Sequence, residues 1–281
     1  MSTATLSAPV SGGLTGVVRS EIRKILTTRL WWIMGLSLMG YMAFMAAMMA
    51  FALTYEPAMT GMTEDVTAPQ AREIATSIYT LAPAFGYVFP LIVGAISVTA
   101  EFRHQTITPT LLAEPRRSTV MGAKLISALP VGLVIGLLGS ITCWAVGAGT
   151  IAIMGGETFA FTGETLRILV LSAVTLAIWT MVGVGFGAVV PNQIGSIIIV
   201  LAFTQFIEPI ARMAISQVEK IAGAAKFLPG AAGEALAGGS FYGTIAPMGM
   251  LSWWQGGLVL VAYALVFSLI GLVTTFRKDV G

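Results

Sequence analysis

Two long runs without a charged residue, 74–99 and 125–154, constrain this chain more than any other feature in it. Each supplies the ~20 mostly apolar residues an α-helix needs to cross a ~30 Å hydrocarbon core. Between them lies AEFRHQTITPTLLAEPRRSTVMGAK (100–124), dense in charge through Glu101, Arg103, Glu114, Arg116, Arg117 and Lys124. A basic segment between two spans belongs on the cytoplasmic face. Only 10% of the chain is charged, against roughly 25% in soluble domains. The expectation is an all-α integral membrane protein, one membrane domain over 1–281.

Six spans are expected, at about 30–55, 78–99, 125–154, 166–190, 193–214 and 254–276. The third is long enough to tilt or project beyond the bilayer. Pro191 and Asn192 alone separate the fourth and fifth, which predicts a tight helical hairpin. Pro229-Gly230, Gly238-Gly239 and Pro247 interrupt the loop 215–253, predicting short helices on, or dipping into, the outer leaflet.

Residues 1–13 are small and polar and read as a disordered tail without the features of a secretory signal. Over 14–28, Leu14, Val17, Val18, Ile22, Ile25 and Leu26 recur at helical spacing, with Glu21 interrupting the stripe. Arg19, Arg23 and Lys24 fall off it, which predicts an interfacial helix along the membrane surface. A charged tail that merely fixes topology is the alternative. An N-terminus inside leaves ten of the fifteen Lys and Arg on inner segments, so both termini are expected in the cytoplasm.

Much chemistry is excluded. One cysteine and one histidine, Cys143 and His104, rule out an intrachain disulfide and paired-residue metal sites. No G-x-x-x-x-G-K-[ST] loop is present, so this chain is not expected to bind or hydrolyse ATP, and no cofactor or nucleic acid is expected on it. No catalytic residue is assigned.

Polar groups inside the spans are candidates for a translocation path. Glu208 sits ~22 Å up the fifth span, at ~1.5 Å per residue from the inner turn, and Arg212 is four residues on. An intramembrane ionisable group is a pathway candidate by default; an ion pair closing a helix end is the other reading. Thr204 and Gln205 extend the same patch, and Tyr79 and Tyr87 add polar groups to a second span loosened by Pro83, Gly86, Pro90 and Gly94. Three small-xxx-small pairs, Ala43/Ala47, Gly132/Gly136 and Gly183/Gly187, suggest close helix packing.

EIRKILTTRLWWIM (21–34), AEFRHQTITPTLLAEPRR (100–117) and the following MGAKLI resemble the membrane subunit of bacterial ABC-2 type transporters. The Glu-x-Arg-x-x-Thr core is Glu101, Arg103 and Thr106, and Gln105 stands where many members carry glycine. The resemblance implies a permease in the bacterial cell membrane that pairs with a second permease subunit, identical or related. It also implies a separate P-loop subunit that holds the ATP and Mg. The inner loop is then a coupling helix, with Glu101 and Arg103 meeting partner charges and Phe102, Ile107 and Leu111 filling an apolar groove. Spans two and five would flank the path of an amphipathic substrate, a drug or lipid, in the direction of export. A self-contained secondary transporter or a membrane anchor without ATP coupling are the competing classes.

Overall fold

The computed structural model describes residues 13–59, 67–218, 221–239 and 249–277. The expected tail, Gly13 apart, lies outside the described residues. Among those described there is no strand, and six helical segments are long and apolar enough to cross a membrane. They are Leu30–Thr54, Ala68–Arg103, Arg117–Ile153, Gly163–Val189, Gln193–Ser216 and Trp253–Thr274, and each matches one expected span.

We label the helices α1 (Leu14–Thr27), α2 (Leu30–Met59), α3 (Ala68–Tyr79), α4 (Val88–Arg103), α5 (Ile107–Ala113), α6 (Arg117–Ile153) and α7 (Gly163–Val189). After these come α8 (Gln193–Ala202), α9 (Glu208–Ser216), α10 (Pro229–Ala237) and α11 (Trp253–Thr274). Widened π-helical turns, Ala82–Gly86 and Phe203–Ile207, interrupt the second and fifth spans. Prolines account for both. Pro83 lies within the first turn and Pro209 just past the second, and a proline cannot donate to, and crowds, the carbonyl four residues back.

Span four is the hub. Helix α7 packs against α4, α6 and α11, while α2 leans on α6 and α8 on α4. Glycines permit this closeness: Gly132 and Gly136 of α6 meet the backbone of α7, and Gly183 and Gly187 of α7 meet Leu91 and Ala95 of α4. Two of the three small-residue pairs are thus contacts within the chain. The third is out of register, because the buried stripe of α2 is Leu38, Met42, Ala46 and Ala50.

Three boundaries differ from expectation. Helix α6 starts at Arg117, so its 37 residues reach about 55 Å and carry Lys124 inside the helix. The second span gains α3, whose start is fixed where Thr67 N–H donates to Gln70 Oε1 at 2.9 Å. The short helix expected over 102–112 is confined to α5, since Phe102 and Arg103 complete α4. What separates them is a left-handed residue. Gln105 has φ +55, its N–H donates to Phe102 O and Thr106 N–H donates to Glu101 O, the Schellman way of closing a helix.

Candidate functional site

Two clusters of buried charge stand at opposite ends of the bundle. At the basic end, Lys124 Nζ lies 2.7 Å from Glu21 Oε2 and 2.8 Å from Glu101 Oε1. Lys24 Nζ closes the ring, 2.6 Å from Glu21 Oε1 and 2.8 Å from Glu101 Oε1, and donates to Thr110 Oγ1 at 3.2 Å. Four elements meet in this ring: α1 through Glu21 and Lys24, α4 through Glu101, α5 through Thr110 and α6 through Lys124. Glu21, Glu101 and Lys124 are all but sealed from solvent. Charges balance, two against two, and that balance makes burial tolerable. Burial works to raise the Glu21 pKa, but the ammonium groups of Lys124 and Lys24 outweigh it and hold the carboxyl below its ordinary value. Burial likewise opposes the charged form of Lys24, and the Glu101 and Glu21 carboxylates raise its pKa in spite of it.

This ring reverses two expectations. Glu21 was the flaw in the apolar stripe of α1, yet it is the one buried residue of that helix. Leu14 and Leu26 are half exposed, and Arg19 and Arg23 point away. Glu101 turns inward, so its carboxylate is spent on the two lysines rather than offered to a partner. Ile107 is buried too, packed with Val98, Val120 and Met121, and Phe102 and Leu111 lie half-buried against the same cluster. Phe102 meets Phe276 edge-on at 5.8 Å. The residues of this loop that do face outward are Arg103, His104, Gln105, Thr106 and Leu112. Leu112, 77% exposed, is the apolar one among them and was not singled out in the sequence. Arg103 Nη1 also donates to Gln193 Oε1 at 3.1 Å, bridging to the start of α8.

At the far end, Arg212 holds two carboxylates, Glu208 at 2.9 Å and Glu234 at 2.5 Å. Glu208 Oε1 also accepts from Gly230 N–H at the start of α10. The Tyr87 hydroxyl lies 3.2 Å from Thr204 O and 3.4 Å from Glu208 Oε2, serving one of them at a time with its single hydrogen. Its ring stacks on Trp179 at 4.4 Å. The widened turn of span five presents Thr204 O, and Tyr87 sits just past the widened turn of span two, so the irregular stretches face each other. Helix α10 is buried along nearly its whole length against α7, α11 and the widened turn of span two. Gly230 is required there, because a Cβ would collide with the Arg212 guanidinium and the Glu208 carboxylate.

Of the expected path residues, the structure gathers Tyr87, Thr204 and Glu208, with Gln205 Nε2 3.4 Å from Thr204 Oγ1. Tyr79 is elsewhere, donating to Thr158 O at 2.6 Å. Sequence reasoning missed Glu234, Gly230 and Trp179. The available signal was an acid inside the short apolar helix that opens at Pro229-Gly230. Among the described residues, no group of three or more His, Cys, Asp or Glu is arranged to hold a metal ion. Compared with known proteins, the sequence matches no described family and no curated protein.

Proposed function

We propose that this chain is the permease subunit of an ATP-driven exporter of the ABC-2 type, set in a bacterial cell membrane with both termini in the cytoplasm. It carries an amphipathic substrate and works with a second permease subunit and a separate P-loop ATPase. One observation carries this reading: the four-charge ring that ties α1, α4, α5 and α6 into a single rigid block. A motor outside the membrane can move spans only through something that does not yield. A push on α5 reaches span two through the Glu101 side of the ring and span three through Lys124. In this reading α5 is the coupling helix, with Leu112, Arg103 and His104 facing the motor. Glu101 is then the internal strut that transmits the load, and α1 is its surface brace.

The test is a mild-detergent pull-down of the whole chain from its native membrane. A stoichiometric P-loop ATPase should come with it, and Leu112→Asp should release that subunit while leaving the yield of folded permease unchanged. A chain that emerges alone and still moves solute without ATP overturns the proposal. That outcome would favour the second reading, a self-contained transporter, to which the buried Glu208–Arg212–Glu234 cluster lends support as an intramembrane ionisable centre.

A further inference from the structure

Between α1, the start of α2 and the basic end of α4 lies an open cavity of about 540 Å³. Its walls are apolar along one side, formed by Ile25, Leu30, Val93 and Ile96, and its polar end is formed by Glu101 and Lys24. Docking by charge creates this hollow. Helix α1 is pinned through Glu21 and Lys24, so its apolar residues are held near span two without being pressed against it. At the polar end one group is unsatisfied. Glu101 is 6% exposed, its Oε1 takes both lysines, and its Oε2 has no hydrogen-bond partner among the described residues. A buried carboxylate oxygen without a donor is costly, and native structures rarely tolerate one.

We propose that this cavity is a binding site for a membrane phospholipid whose headgroup carries a primary ammonium. The chemistry selects the class. Oε2 asks for an N–H or O–H donor, which a quaternary ammonium cannot give. The ring around it is already neutral, so a lone cation or a lone anion would leave an uncompensated charge beside buried groups. A zwitterion leaves the balance intact: its ammonium donates to Glu101 Oε2, and its phosphate meets the half-exposed Lys24 ammonium at the cavity mouth. The apolar wall then receives the first part of one acyl chain, and the remainder stays in the bilayer. A bound lipid would fill the space between α1 and span two and stiffen the block described above. The inference rests on the membrane-spanning fold and the cavity, and stands whether or not an ATPase is the partner.

The test is native mass spectrometry of the intact chain released from nanodiscs of equal parts phosphatidylethanolamine, phosphatidylcholine and phosphatidylglycerol. Phosphatidylethanolamine should be retained over the other two by about tenfold, the size expected of one hydrogen bond to a charged group. Glu101→Gln should abolish the preference. Ile96→Trp, which leaves the ring untouched and fills the apolar wall, should abolish retention. The proposal is overturned if the three lipids are retained alike, or if none is. It is equally overturned if phosphatidylglycerol matches phosphatidylethanolamine, since a hydroxyl donor would then suffice, or if Ile96→Trp leaves retention unchanged.

Discussion

The basic-end ring and the far-end cluster are built from the same residue types, yet they join different things. The ring connects surface helices to spans, four elements that sequence alone leaves free to move apart. The far-end cluster connects parts already inside the bundle: span five, the buried helix α10, and through Tyr87 the widened turn of span two. The ring also sits between regular helices, whereas the cluster sits among turns loosened by Pro83 and Pro209. Ion pairs between rigid elements transmit force; ion pairs beside π-helical turns can let go and re-form. The basic end is therefore the stiff part of the molecule and the far end the part built to change.

The sharpest way to break that comparison is to remove Lys124. Lys124→Ala leaves two buried carboxylates facing each other and should cost about 3–5 kcal/mol, the range for an orphaned buried charge. It should be read as a fall in thermal midpoint in detergent, with α1 undocked. Lys24→Ala is the control. Its side chain is 42% exposed and Lys124 still bridges both acids, so it should cost no more than about 1 kcal/mol. Equal losses would mean that the ring is held at its rim and not at its centre.

Gly230→Ala addresses the far end. The added methyl forces the start of α10 off Glu208 and Arg212, and should cost about 2 kcal/mol, the loss of one charged hydrogen bond with some repacking. Transport should fall more than stability does if this cluster is the moving part. A variant with wild-type transport would place the moving part elsewhere.

How far the sequence leads is different at the two ends. Six spans were legible because hydropathy over twenty residues is a local property, and every expected segment became a helix. Residue Glu21 was legible as an acid and misread as a flaw, because the partner that buries it, Lys124, lies 103 residues away. No periodicity reports a contact of that range. Glu101 and Ile107 look like an exposed charged loop for the same reason. Helix α3, in contrast, was missed although its cap is local: Thr67 and Gln70 carry the pattern, and attention to apolar length alone passed over it.

Acidity probes the ring more gently than substitution. The Glu21 pKa is depressed on folding, so its contribution is present above the ordinary value of 4.5 and is lost as pH falls through the lower folded value. The Lys24 pKa is raised, so its contribution is complete below 10.5 and is lost as pH rises through the higher folded value. Docking of α1 should therefore hold across the whole range between and fail first on the acid side. Spin labels at Ser20 and Ala113, both exposed, would report the separation of α1 from α5. A change centred near pH 6–7, the ordinary range of histidine, would point to His104 and not to the ring.

The smallest effect concerns the corner itself. Gln105 adopts φ +55, where a side chain crowds the following carbonyl, and glycine has no such penalty. Against that gain stands the greater freedom glycine gives the unfolded chain. The two nearly cancel, so Gln105→Gly should stabilise by at most about 1 kcal/mol. It should leave the hydrogen bonds from Gln105 and Thr106 N–H in place. Hydrogen exchange at those two amides is the measurement to make. Slower exchange would show that the corner is strained in the native chain; faster exchange would show that the glutamine stiffens it, and that the hinge between α4 and α5 belongs with the rigid end of the molecule by more than its salt bridges.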